Sequence, residues 1–264
     1  VSVAGMFLAG IVPGILICAG LMLMTSHIAK KRNYPIANVK ATWRERGNAL
    51  KSSFFPLLTP VILLGGIVLG VFTPTEAAAV AAGYALIITL FVTHTLKFNK
   101  LPSILVNAAV QSGTILLLVG SAVTFAWIIT VSGMADTLAS EILGITDNVL
   151  LLLLIINLFL FAIGMFLDAG PAILILGPVL APIFISLGID PLHFAVIMCV
   201  NLTVGLATPP MGLVLFVAAA VSGEKTENIA LEMLPFLAVE AAVIFLITYF
   251  PALTMTLPTF FGFA

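Results

Sequence analysis

From Val3 to Met24 the chain carries no charged side chain. A helix of about 20 apolar residues crosses the roughly 30 Å hydrocarbon layer of a bilayer, so this run is long enough to span. Comparable runs follow at Pro56 to Phe72, Glu76 to Val92 and Leu101 to Val131. Val149 to Gly164 and Ala172 to Leu187 form a pair, parted by Leu167-Asp168-Ala169-Gly170-Pro171. Phe194 to Val221 is interrupted at Thr208-Pro209-Pro210, and Leu231 to Leu257 is the last run. Backbone in lipid must satisfy its own hydrogen bonds, which makes each run a helix. The sequence therefore predicts an all-α polytopic membrane protein. Only 8% of residues are charged and 62% are hydrophobic, against about 25% charged in a soluble domain. So few charges cannot coat a water-facing surface.

The first run shows no signal-peptide cleavage pattern. Because the chain opens at Val1 inside running membrane sequence, a fragment of a longer protein is expected. Cys18 and Cys199 both lie in apolar runs and read as small buried hydrophobes rather than a disulfide or metal pair.

Orientation follows the basic residues of short loops. Lys30, Lys31, Arg32, Lys40, Arg44, Arg46 and Lys51 share one loop, Lys97 and Lys100 lie two crossings later, and Lys225 is the remaining one. With the first span running inward, all of them fall on the cytoplasmic side and the C-terminus is periplasmic. That holds if the 149–187 pair enters and leaves from the outer side. Lys225 would also be inside if the pair crossed twice, so charge does not decide between the two. Length bears on it: Val149 to Gly164 makes a helix of about 24 Å, short for a crossing. The next arm carries Pro171, Gly177, Pro178 and Pro182. Short, Gly/Pro-interrupted neighbours read as a re-entrant helical hairpin whose tip stops near mid-membrane; the plain alternative is two short helices with a tight outer loop.

Between Ala41 and Phe54, Trp43, Leu50 and Phe54 alternate with Arg44, Arg46 and Lys51. This pattern reads as a basic helix on the cytoplasmic membrane surface, not as a nucleic-acid site.

The richest stretch is Asn201-Leu202-Thr203-Val204-Gly205-Leu206-Ala207-Thr208-Pro209-Pro210-Met211-Gly212. Pro209 and Pro210 have no N–H, so in a continuous helix the carbonyls of Gly205 and Leu206 lose their donors. Lipid cannot supply replacements, so such a turn must be buried in protein or line a polar cavity. Free carbonyls with the Thr208 hydroxyl form a set of neutral oxygens that suits a monovalent cation such as Na⁺. The alternative is a proline-kinked span with Thr208 bonded back to its own helix. At the hairpin tip, Asp168 is one of few acids in the apolar sections. It reads as a cap for the second arm or as an ion or substrate contact. Gly164 would end the first arm and present a free carbonyl. Thr73-Pro74-Thr75-Glu76 reads as a capping box. Glu240, inside the last span, reads as a buried contact; His27, His94 and His193 lack ligand spacing. No P-loop, G-x-S-x-G or H-E-x-x-H motif occurs, which argues against nucleotide hydrolysis and an enzyme and favours ion-driven transport.

At these residues the chain resembles the large membrane subunit of tripartite ATP-independent periplasmic (TRAP) transporters, the DctM-type family. The resemblance rests on Phe7-Leu8-Ala9-Gly10-Ile11-Val12-Pro13-Gly14 and on Gly70-Val71-Phe72-Thr73-Pro74-Thr75-Glu76-Ala77-Ala78-Ala79. Gly164-Met165-Phe166-Leu167-Asp168, Gly188-Ile189-Asp190-Pro191-Leu192-His193-Phe194 and Gly205 to Gly212 complete it in family order. The resemblance implies an elevator-type secondary transporter of two inverted repeats, each with a hairpin and a broken helix. It implies Na⁺-driven uptake of organic acids such as C4-dicarboxylates or sialic acid, with no organic cofactor. It also implies a periplasmic substrate-binding protein and a small four-helix membrane subunit, separate or fused, as partners in a bacterial inner membrane. The match covers roughly the C-terminal two-thirds of the family, so the first hairpin and first broken helix, with half the substrate site, would belong to a missing N-terminal repeat.

Carried onto this chain, the division is 1–27 for the last span of the first repeat and 28–55 for the basic loop and surface helix. Scaffold helices take 56–147, the transport hairpin and broken helix 148–222, and the final span 223–264. The ion site implied by the resemblance is Gly164, Gly205, Thr208 and Met211. Asp168, Asn201, Thr203, Pro209 and Pro210 are the expected cavity residues. No arginine, the usual carboxylate anchor, lies in any span. Rival readings are a Na⁺/dicarboxylate or arsenite-type carrier without a binding protein, and a channel or structural membrane subunit.

Overall fold

A computed structural model gives the fold for residues 1–34, 42–133, 137, 144, 146 and 148–263. Lys40 of the basic loop lies outside the described residues. Among them every regular element is helical. Five helices among the described residues are long and apolar enough to cross a membrane: Val3–Lys31, Pro74–Val92, Phe98–Phe125, Ala169–Ser186 and Thr226–Tyr249. The chain forms two units, Arg32–Ile115, and Val1–Lys31 with Leu116–Ala264.

In the first unit, α2 (Trp43–Val68) packs on α3 (Pro74–Ile87). Both begin with the same device. Thr73 Oγ1 accepts the Glu76 N–H at 3.3 Å while the Thr73 N–H donates to Glu76 Oε2 at 2.8 Å. That is the capping box expected from sequence, with Pro74 at the first helical position. Thr42 and Glu45 repeat it at α2, at 3.3 and 2.7 Å, a box the sequence reading did not identify. The Thr42 N–H, and next its hydroxyl, hold the Glu45 carboxyl below the ordinary carboxylate range. The surface helix and second span expected from sequence are parts of one element: Trp43–Lys51 and Ser53–Val68 meet at 53°. Pro56 explains the bend, because it takes the donor from the Ser52 carbonyl and crowds that turn. Gly70, with φ 69°, turns the chain into α3 in the left-handed region open to glycine. The Tyr84 hydroxyl donates to the Phe55 carbonyl at 3.0 Å and pins the pair. α3 ends in a π-helical turn, Ile88–Val92, and a short 3₁₀ turn, Phe98–Lys100, leads into α4 (Leu101–Val131).

The second unit holds α1 (Val3–Lys31), α5 (Val149–Gly164), α6 (Ala169–Ser186), α7 (Pro191–Gly205), α8 (Leu213–Ser222), α9 (Thr226–Tyr249) and α10 (Ala252–Phe260). α1 continues past Met24, with the Thr25 hydroxyl bonded back to the Leu21 carbonyl. Lys30 and Lys31 in its last turn complement the negative end of the helix dipole. α5 and α6 are joined by a tight turn and form a helical hairpin. α7 lies against both arms. Leu152, Leu153, Ile156 and Leu160 of one arm and Ala172, Leu180, Ile183 and Phe184 of the other share a core with Phe194, Ile197, Met198 and Leu202. The Phe184 and Phe194 rings stack at 4.8 Å. Shortness applies to the first arm only, since α6 has 18 residues and passes the length for a span. The last apolar run is two helices rather than one. α9 stops at Tyr249 and Pro251 caps α10, because proline cannot donate to the turn before it.

Candidate functional site

α7 starts on Asp190, whose carboxylate accepts the Leu192 and His193 N–H groups at 2.7 and 3.2 Å, with Pro191 at the first helical position. It ends at Gly205, and its last turn tightens: the Thr208 N–H donates to the Gly205 carbonyl at 2.9 Å. Pro209 and Pro210 offer no N–H, Gly212 turns the chain at φ 39°, and α8 begins. The helix is thus broken where the prolines predict. The carbonyls expected to be free are not: Gly205 receives Thr208, and Leu206 receives the Val214 N–H at 3.1 Å. The chain folds back after the prolines and supplies those donors itself. Among the described residues, no main-chain N–H donates to the carbonyls of Gly164 and Ala207.

The hairpin turn lies directly on this break. A Cβ on Gly205 would stand 2.6 Å from the Gly164 Cα, and one on Gly164 would stand 2.8 Å from the Leu202 carbonyl oxygen. Real Cβ atoms do not approach backbone so closely, so both positions require glycine. The Gly212 N–H donates to the Met165 carbonyl at 3.2 Å, which ties the far side of the break to the same turn. α5 and α7 therefore bring their C-terminal ends together. Each such end carries roughly half a negative charge from its unpaired carbonyls, and together they favour a cation without any carboxylate.

Thr208 is 6% exposed, and its hydroxyl donates to the Val204 carbonyl at 3.0 Å. The back-bonded rotamer and the broken helix, weighed as alternatives from sequence, occur together; the hydroxyl oxygen keeps its lone pairs. The Met211 side chain is exposed. Pro209 and Pro210 line a groove of about 550 Å³ with Phe216, Thr226, Glu227 and Leu231. Asp168 occupies the cap position of α6 with extended backbone, but its carboxylate makes no cap hydrogen bond, and it is exposed. Thr203 is also exposed and donates to the Cys199 carbonyl at 2.7 Å.

Asn201 is engaged elsewhere. It is 1% exposed, and its Nδ2 donates to Asn157 Oδ1 at 2.7 Å and to the Ile197 carbonyl at 2.8 Å. The Thr248 hydroxyl lies 3.2 Å from the same Asn157 oxygen. This buried junction joins α5, α7 and α9. A second one lies about two turns back along α7. His193 Nε2 is 3.3 Å from the Thr248 carbonyl, and Nδ1 is 2.7 Å from Thr254 Oγ1. A carbonyl only accepts, so Nε2 carries a proton, while Nδ1 meets the Thr254 hydroxyl, which also donates to the Pro251 carbonyl at 2.9 Å. Sequence reasoning passed over both junctions, although Asn157 is the sole polar residue of Val149–Gly164. Glu240 stands on the face of α9 that carries Leu237 and Ile244, which pack against Val204. Its Oε2 is buried without a hydrogen-bond partner among the described residues.

Residues 1–253 match the model of the family described as "Tripartite ATP-independent periplasmic transporter, DctM component". The sialic acid TRAP transporter large permease protein SiaM of Vibrio cholerae is 41% identical over 260 residues, 98% of this chain and 61% of that protein. The isethionate TRAP transporter permease protein DctMQ of Oleidesulfovibrio alaskensis is 40% identical over 259 residues, 96% of this chain and 40% of that protein. The C4-dicarboxylate TRAP transporter large permease protein DctM of Rhodobacter capsulatus is 35% identical over 261 residues, 99% of this chain and 59% of that protein. The chain thus spans about 60% of the length of the large permeases among these relatives. The membrane-spanning helices, the hairpin, the broken helix and this match agree: the chain belongs to the DctM-component family of tripartite ATP-independent periplasmic transporters, a family of multi-pass membrane proteins.

Proposed function

We propose that this chain serves in the large membrane subunit of a Na⁺-coupled importer of organic acids, and that the coupling ion sits where the hairpin turn meets the broken helix. The reading rests on one observation: Gly164 and Gly205 touch backbone to backbone, so two helix C-termini meet beside carbonyls that no N–H occupies. Gly164, Gly205, Thr208 and Met211 supply the oxygens, mostly from the main chain; the Gly205 carbonyl, which already accepts the Thr208 N–H, offers its second lone pair. Neutral oxygens at helix ends suit a monovalent ion at membrane depth, whereas Ca²⁺ sites draw on several carboxylates. Substrate enters the adjoining space. Pro209 and Pro210 line its groove, Asp168 and Thr203 are exposed candidates for contact with it, and Asn201 stiffens α7 through its bond to Asn157.

The substrate class is a carboxylate or sulfonate, by analogy with the sialic acid, C4-dicarboxylate and isethionate permeases. A periplasmic binding protein delivers it, and a small membrane subunit braces the scaffold. The hairpin is re-entrant and moves with the broken helix in an elevator motion, with residues 28–55 on the cytoplasmic side and the C-terminus periplasmic. The test is uptake by proteoliposomes containing the full-length protein, its small subunit and its binding protein. Thr208→Ala is expected to weaken the Na⁺ dependence of uptake by about tenfold or more, the cost of roughly 1.4 kcal/mol or above from one lost oxygen ligand. Unchanged Na⁺ dependence would remove Thr208 from the site.

A further inference from the structure

We propose that the first half of α2, Trp43 to Phe54, binds the anionic headgroups of phospholipids at the membrane surface. Helix positions spaced by four, three and four residues share a face. Here they hold Trp43, Gly47, Leu50 and Phe54. Trp43 is 86%, Leu50 65% and Phe54 53% exposed, so nothing within the unit covers this apolar stripe. Cations border it on both sides: Arg44 and Lys51 along one edge and Arg46 along the other. Glu45 and Asn48 lie on the opposite face.

The cations have no acidic partner among the described residues. Arg44 and Lys51 form no hydrogen bond or ion pair among the described residues, and Arg46 lies over the Trp43 ring at 5.3 Å. Glu45, the one acid nearby, is committed to the cap. Its carboxylate accepts the Thr42 N–H at 2.7 Å and the Thr42 hydroxyl at 2.9 Å. The segment thus presents three uncompensated positive charges around an aromatic-aliphatic stripe.

The bend identifies the occupant. Trp43–Lys51 leaves the axis of Ser53–Val68 by 53°, and the second half is an apolar helix of spanning character. A helix that turns away from such a segment at its polar end lies at the depth of the headgroups. There Trp and Phe rings settle between water and acyl chains, and Arg and Lys stems reach out to phosphate. Three cations with no acid to answer them select phospholipids of net negative charge over zwitterionic ones.

The test uses the full-length protein with Trp43 as its sole tryptophan, reconstituted in phosphatidylcholine vesicles containing phosphatidylglycerol. Brominated phosphatidylglycerol and brominated phosphatidylcholine are compared as quenchers of Trp43 at equal mole fraction. The proposal expects phosphatidylglycerol to quench preferentially. Arg44→Gln/Arg46→Gln/Lys51→Gln abolishes the preference, by about fivefold in relative lipid affinity for each charge removed. Arg44→Lys/Arg46→Lys retains the preference, which separates charge from folding. Equal quenching by the two lipids in the otherwise unaltered protein overturns the proposal. So does quenching by aqueous iodide with none by either lipid, which would place Trp43 in water, or the absence of quenching by any of the three, which would place it against a protein surface.

Discussion

At Gly164 and Gly205 the missing side chain is the function of the residue. A methyl group on Gly205 would sit 2.6 Å from the Gly164 Cα, and backbone on both sides has no room to yield. Gly205→Ala is therefore expected to destabilise the protein by about 1–3 kcal/mol through overpacking, seen as a lower midpoint of thermal unfolding in detergent. An alanine tolerated without change would mean that the hairpin turn does not rest on the break. Asn201 provides a different test. Asn201→Leu leaves the buried amide of Asn157 short of a partner, at about 1–3 kcal/mol. The double variant Asn157→Leu/Asn201→Leu removes both ends and recovers part of the loss. If the single and double variants were equally unstable, the bond at 2.7 Å would not be the link between the helices. Gly164 and Gly205 could be singled out from sequence because glycine beside a helix break has few other uses. Asn201 could be singled out too, but not its role, because a polar residue in a span looks alike whether it faces a cavity or another amide. Its partner Asn157 lies 44 positions away in the chain, and no local pattern links them.

Elements were legible where the chain marks its own ends. Thr73-Pro74-Thr75-Glu76 announces a helix start, and the hydrogen bonds follow; Thr73→Ala is expected to cost about 1 kcal/mol and to speed hydrogen exchange at the Glu76 N–H. Unchanged exchange there would show that the box does not secure α3. Pro209 and Pro210 announce a break, and the helix ends there. Pro209→Ala/Pro210→Ala restores two donors and is expected to straighten the element, so that the protein still enters the membrane but its uptake no longer depends on Na⁺. Retained dependence would detach the ion from the break. Other proline positions misled in both directions. Pro178 and Pro182 lie inside α6 without ending it, whereas Pro251 divides what reads as one apolar run. Whether a proline ends a helix depends on what donors and packing its neighbours supply, and a run of apolar letters does not record that. The carbonyls of Gly205 and Leu206 show the same limit: the return of the chain through Gly212 gives Leu206 the Val214 N–H, a tertiary bond with no sequence signature.

Across the whole molecule, scarcity of charge determines the class of fold, and the few charges present mark its edges. Basic residues gather at helix ends and at the start of α2, while acids are held in caps at Glu45, Glu76 and Asp190. The interior of the second unit relies on amides, hydroxyls and an imidazole to join helices that apolar packing alone would leave free to slide. That leaves the meeting point of α5 and α7 as the place where the dipole of one helix reinforces that of another. The direct test is the thermal unfolding of the purified full-length protein, titrated with NaCl at ionic strength held constant with KCl. Binding to the folded state alone raises stability as RT ln(1 + [L]/Kd). The account predicts a midpoint that climbs with Na⁺ in the unaltered protein and a titration moved to higher Na⁺ in Thr208→Ala. A midpoint indifferent to the exchange of K⁺ for Na⁺ would contradict it.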